Sequence, residues 1–197
     1  MADSDVEICN MALTMIGSET ITSLTDDSDE GRVCNLMYPR YRDAVLRSHY
    51  WNAALRRATL ASVTGSPSFG FSNHHQLPAD FVLLRAVSGD PPYRMEEARR
   101  IYSDQSEIKI LYVYRVEDPS ELGDLYADAL ATRLASVFAM RFRNVAGGGQ
   151  LWRMYLEKLK FARFVESTEN QQDLFDAQAF TEIGRVSMPV ELGRTDI

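Results

Sequence analysis

The sequence predicts an α+β fold: mainly an α-helical bundle of about four helices, with an inserted small antiparallel β domain and an extended C-terminal tail. Helical apolar spacing dominates residues 1–54 and 119–167, which read as the bundle. Residues 55–118 carry β-branched and aromatic runs punctuated by Gly, Pro and Ser, which read as the β-rich insertion. Residues 168–197 lose periodicity and hold the breakers Gly184, Pro189 and Gly193, which read as the tail. A chain of 197 residues with 45% apolar and 25% charged side chains suits one globular domain with an insertion.

The first helix is marked by Ser4-Asp5-Val6-Glu7, a capping box in which serine and glutamate each satisfy an orphan amide. Val6, Cys9, Leu13 and Ile16 follow at three- and four-residue steps, and Gly17 supplies the stop. Ser28 caps a second helix that runs to about His49, kinked but not broken at Pro39 because the apolar face continues on both sides. The clearest strand is 108–116, preceded by Arg100-Ile101-Tyr102 and a four-residue turn, so the two predict a hairpin. Residues 57–63 and 81–87 are weaker strand candidates, and together they predict one small sheet. Asp118-Pro119-Ser120 stops the insertion and starts the third helix, which reaches about Phe142. Ala146-Gly147-Gly148-Gly149 reads as a hinge, and the fourth helix then runs from about Gln150 to Ser167, with Leu151, Tyr155, Leu156, Leu159 and Ala162 inward.

Net charge is −7, unevenly spread. Residues 1–31 hold eight acids and no lysine or arginine, and the last 32 residues hold seven acids against Arg185 and Arg194. Basic stretches lie between them, with Arg40, Arg42, Arg47, Arg56 and Arg57, then Arg141, Arg143 and Arg153. These are solvated helix faces, or else acidic ends that meet basic faces of a neighbouring copy. An acidic chain is a poor grip for DNA phosphates, whose affinity comes from lysine and arginine. The acidic start lacks a secretory pattern and no run approaches the roughly 18 apolar residues of a membrane span, so a soluble protein made in the cytoplasm is expected. Cys9 and Cys34 are expected to be reduced, buried and slow to react.

No pattern of catalytic, cofactor or metal residues survives scrutiny, so a non-enzymatic protein without cofactor is expected. Asp26-Asp27-Ser28-Asp29-Glu30-Gly31 resembles a calcium loop only until position twelve, which is Met37 where a glutamate is needed. Gly147-Gly148-Gly149 lacks the Gly-Lys-Ser/Thr ending of a phosphate loop. His74-His75 reads as a loop pair with no accompanying ligand, and His49 as a helix-end imidazole favoured in its cationic form. Glu96 and Glu97 are adjacent on a strand and face opposite ways, so they make no acid pair. Tyr38-Pro39-Arg40-Tyr41-Arg42 and Phe161-Ala162-Arg163-Phe164 interleave rings and cations, but on helices most of these rings are core.

Four ordered patches resemble one known family. Glu7-Ile8-Cys9-Asn10-Met11-Ala12-Leu13 with Ile16-Gly17 resembles the opening of the podovirus tail tubular protein A family. Tyr38-Pro39, Arg42-Asp43, Leu46-Arg47 and Trp51-Asn52 resemble its second helix and exit. Phe69-Gly70-Phe71 and Gln76-Leu77-Pro78-Ala79-Asp80 resemble the approach to its middle domain. The resemblance covers residues 7–80 and, beyond residue 120, extends to layout more than to residues.

It implies a structural virion protein, the ring-forming head-to-tail adaptor of short-tailed bacteriophages. Twelve copies would sit beneath the portal protein, meet a tail nozzle protein similar to tail tubular protein B, and surround a channel through which DNA passes without specific binding. The implied location is the portal-proximal tail of the virion, with no membrane. The matched residues Asn10, Gly17, Pro39, Trp51, Gln76, Leu77, Pro78 and Asp80 are implied to be structural, with Pro39 shaping a helix, residues 76–80 a turn, and Trp51 anchoring sheet against bundle. In the tail, Leu174, Phe175, Phe180, Ile183, Val186 and Met188 are too many apolar residues for an idle solvated segment, and are expected to contact the portal or a neighbouring copy.

Two other classes remain as alternatives. A virion-associated cell-wall hydrolase needs a carboxylate or metal constellation and would turn over peptidoglycan. A nucleic-acid-binding packaging subunit would bind DNA with steep salt dependence.

Overall fold

The computed structural model describes residues 4–65, 67–97, 99–142 and 145–169. The helices are α1 (Asp5–Met15), α2 (Asp29–Leu46), α3 (Asp124–Phe142) and α4 (Val145–Glu169), with strands β1 (Leu55–Ala61), β2 (Asn73–Gln76), β3 (Phe81–Val87), β4 (Tyr93–Glu96), β5 (Arg100–Ser103) and β6 (Glu107–Tyr114) between α2 and α3. The chain is therefore mixed α+β, with four helices and two small antiparallel sheets among the described residues.

Local chemistry sets the ends of the first two helices. Ser4 and Glu7 form the reciprocal capping box. At the other end Gly17 adopts φ +67°, its amide donates to the Thr14 carbonyl, and the Ser18 amide reaches back to Leu13, closing a Schellman turn. Ser28 caps α2 by accepting from the Gly31 amide. The helix passes through Pro39, which sits on its exposed side where water can serve the carbonyl left without a partner. It ends at Leu46, not at His49.

Helix α3 is the centre of the bundle. Tyr126, Ala127, Ala129, Leu130, Ala131, Leu134, Ala135, Phe138 and Ala139 are all buried, which is nearly every direction around the axis. Its alanines admit α1, α2 and α4 at close range, while Leu130, Leu134 and Phe138 each contribute about 1.5–3 kcal/mol of burial. The inward residues of α4 are Tyr155, Leu159 and Ala162; Leu156 is 46% exposed and belongs to the outer face.

The glycine run does not break the chain. Helix α4 begins at Val145 and takes Gly147, Gly148 and Gly149 into its first turns. A Cβ on Gly148 would lie 3.1 Å from the Ser136 carbonyl and 3.3 Å from Met140, so the missing side chain lets α4 cross α3 closely. The helix also extends to Glu169, beyond the boundary expected at residue 167.

The expected single sheet is two, and the expected hairpin is absent. The first sheet has the order β1-β6-β3 and the second β2-β5-β4, all antiparallel. Strand β5 pairs with β2 and β4, so the turn after it carries the chain from one sheet to the other. The reason is burial: Ile101 and Leu77 of one layer pack on Leu60, Val87, Ile108, Ile110 and Tyr112 of the other, which a flat hairpin would leave exposed. His74 and His75 lie in β2 instead of a loop; His75 is fully buried, with Nε2 3.1 Å from the Gln105 carbonyl.

The sheets join the bundle through Val82, Val113 and Val116, which share its core. Arg115 Nε bonds Asp43 at 2.9 Å and Arg47 donates to the Val82 carbonyl at 3.2 Å. Trp51 is buried in the bundle core, donating to the Val45 carbonyl at 3.1 Å and meeting Tyr126 edge-on, so it ties α2 to α3 more than sheet to bundle. His49 packs beside it; burial, then Arg163 and Arg85, hold its imidazole below its ordinary pKa, so the neutral form is favoured and not the cation.

Cys9 and Cys34 are free and fully buried where α1 meets α2. The hydrogen bond between the thiols, with burial, pushes Cys9 well up, whereas the same bond lowers Cys34, whose inertness rests on burial alone. Both thiols are therefore expected to label with a disulfide reagent only as fast as the protein unfolds, and rapid labelling of either without denaturant would contradict this packing.

Candidate assembly surfaces

The residues singled out by the resemblance sit at joints of the framework. The Asn10 side chain donates to the Ile21 carbonyl and accepts from the Ile21 amide, both at 2.8 Å, so it pins the α1–α2 turn as a strand partner would. Gly17, Pro39 and Trp51 shape the helices as described. Gln76 donates to the Arg99 carbonyl at 3.1 Å, and Leu77 is buried between the sheets. The Pro78 carbonyl accepts from the Phe81 amide at 3.1 Å and from the Arg99 guanidinium.

Asp80 joins three strands. One carboxylate oxygen meets Arg56 of β1 at 2.5 Å, the other accepts from the Tyr112 hydroxyl of β6 at 3.1 Å, and its own carbonyl accepts from the Arg115 amide at 2.7 Å. These eight residues are spread over α1 and the turn after it, α2 and the segment that follows it, and the β2–β3 connection, each in its own local contacts. The six tail residues Leu174, Phe175, Phe180, Ile183, Val186 and Met188 lie outside the described residues.

What the structure does assemble are exposed surfaces. On α4, Phe161 and Phe164 are 57% and 68% exposed, with Leu125 of α3 beside Phe161 across a shallow groove. The sequence reading that placed most of these rings in the core therefore fails for both. Leu36 of α2 is 72% exposed. Over the outer face of the second sheet, the 67–71 loop with its exposed Phe69 walls a cleft of about 580 Å³. Arg94 there pairs with Glu96 and Arg100 with Glu97, and Asp104 accepts from the Ser72 amide and hydroxyl.

The acidic turn between α1 and α2 is tightly built. Thr22 donates its amide and hydroxyl to Asp26, and the amide bond above all holds that carboxyl below the usual carboxylate range. Arg32 bonds Asp27 and Asp29 at 2.6 and 2.7 Å.

Sequence reasoning missed Arg133. Its guanidinium lies 4.3 Å from the Trp152 ring and 4.7 Å from the Tyr41 ring, bridging α2 and α4 over α3. No local pattern announces it, since the rings come from residues far apart in sequence. Among the described residues no three His, Cys, Asp or Glu side chains gather at metal-binding distance, and no helix is long and apolar enough to cross a membrane.

In comparisons with known proteins, no family model and no curated protein matches the chain.

The Asp80 joint yields a direct test. Asp80→Ala is expected to lower unfolding free energy by about 1–2 kcal/mol, because it strands a buried tyrosine hydroxyl and unpairs a half-exposed arginine. Tyr112→Phe and Asp80→Ala should be strongly non-additive in urea unfolding. Additive losses would show that the two side chains act separately.

Proposed function

We propose that this chain is a structural virion protein, the ring-forming head-to-tail adaptor of a short-tailed bacteriophage, linking the portal to the tail nozzle around the DNA channel. The observation that carries the reading is the ordered resemblance of residues 7–80 to the tail tubular protein A family. Two structural features support it. The resembling residues occupy joints such as Asn10–Ile21 and Asp80–Tyr112, as shared framework positions should. The molecule also carries unlike surfaces, an apolar face on α4 and a charged turn, and a ring of identical copies needs two unlike contacts on each. Net charge −7 suits a channel that DNA slides through without being held.

The test is to mix the full chain with its cognate portal oligomer at micromolar concentration and sediment the mixture. The adaptor reading expects co-sedimentation that salt weakens only in part, since rim charges are screened and an apolar interface is not. A monomer beside an unchanged portal would overturn it. Deleting residues 171–197 should leave the melting temperature nearly unchanged and weaken portal attachment; full attachment would deprive that segment of the role assigned to it.

A further inference from the structure

The first sheet has two unequal faces. Ile108, Ile110 and Tyr112 point into the layer covered by the second sheet. On the opposite face the bundle covers only the Val113 end. Beyond that end, Arg57, Thr59, Ala86, Ser88, Lys109 and Leu111 line an open depression of about 550 Å³. Its floor is small and partly apolar, and its rim is basic. Arg57 and Lys109 are exposed, and neither forms an ion pair among the described residues.

The complementary surface is the turn between α1 and α2. Glu19, Asp26 and Asp27, followed by Asp29 and Glu30 at the start of α2, outnumber the cations beside them, Arg32, which bonds Asp27 and Asp29, and Arg141 of α3, whose charge acts on Asp29. The turn is stiff: Asn10 pins it, and Gly31 lies so close under it that a Cβ there would stand 2.6 Å from the Asp26 carbonyl. A preorganised loop loses little freedom on docking.

The two surfaces cannot meet within one copy. The acidic turn sits at the N-terminal end of α2, and the sheets attach at its C-terminal end through Asp43 and Arg47. Eighteen helical residues separate the ends by about 27 Å. Complementary surfaces at opposite ends of one molecule make a head-to-tail contact, which closes into a ring or continues as a filament.

We propose that the open basic face of the first sheet, rimmed by Arg57 and Lys109, receives the acidic α1–α2 turn of a second copy of this chain. The inference deepens the adaptor reading and rests on it for the closure of the ring. The same two cations could instead meet DNA phosphates, but the acidic chain as a whole opposes that.

The experiment uses two full-length double variants, R57E/K109E and E19K/D27K, with wild type, in sedimentation at micromolar concentration and low salt. Wild type should self-associate, and each variant alone should associate about tenfold more weakly, since like charges then face each other. Mixing the two variants should restore association, because each basic surface again meets an acidic one in alternating copies. Circular dichroism checks that both variants remain folded. Variants that associate like wild type, or a mixture that stays apart, would overturn the contact. So would a wild type that remains monomeric, or duplex DNA binding by wild type that R57E/K109E abolishes. Portal co-sedimentation by wild type in any of those cases would preserve the adaptor reading while removing this contact.

Discussion

Helix α3 must be covered on nearly its whole circumference, and most of the architecture follows from that requirement. A helix facing one neighbour buries a single stripe, but here Tyr126, Ala129, Leu130, Leu134, Ala135 and Phe138 point in several directions and all are buried. Helices α1 and α2 must therefore come from the far N-terminal side of the β insertion to meet it, and α4 must fold back along it. Alanine on α3 and Gly148 on α4 allow the close approach, and Lys158 to Asp128 at 3.1 Å adds a polar clasp between these two helices. The insertion is tolerated because its two ends, Leu55 and Val116, enter the same core.

Outside that core the framework depends on a few polar joints. Asp80 gathers β1, β3 and β6, Asn10 holds the first turn, and Glu166 accepts from the Asn52 amide at 2.9 Å, tying α4 to the segment that leads into β1. Each joint satisfies backbone or side-chain groups that partial burial would otherwise leave unpaired. Several residues that carry the resemblance, Asn10 and Asp80 among them, fall on these joints, whereas Phe69, Gly70 and Phe71 wall the cleft over the second sheet.

Elements governed by neighbours in sequence were legible. The Ser4–Glu7 capping box, the Gly17 stop, the Ser28 cap and the Phe81–Val87 strand needed only local chemistry. Those governed by distant partners were not. Whether β5 pairs with β6 depends on whether Ile101 finds a partner layer, which the turn at 104–106 does not reveal. Gly147, Gly148 and Gly149 could mark a hinge or a close crossing, and only the position of the Ser136 carbonyl decides between them. His75 reads as polar and therefore external until the sheets bury it. The surfaces were half legible: the acidic block was visible in residues 1–31, but the bareness of the Arg57–Lys109 face exists only in three dimensions.

In the proposed role of an adaptor the chain would act by shape and contact, through what its surfaces meet. Rigid joints hold those surfaces in fixed relation, and a ring requires that relation to be identical in every copy. Electron microscopy of the full chain bound to its cognate portal tests this most directly. The account predicts a closed, rotationally symmetric ring of added density around an open channel. Single copies scattered on the portal, or a ring whose centre is filled, would contradict it.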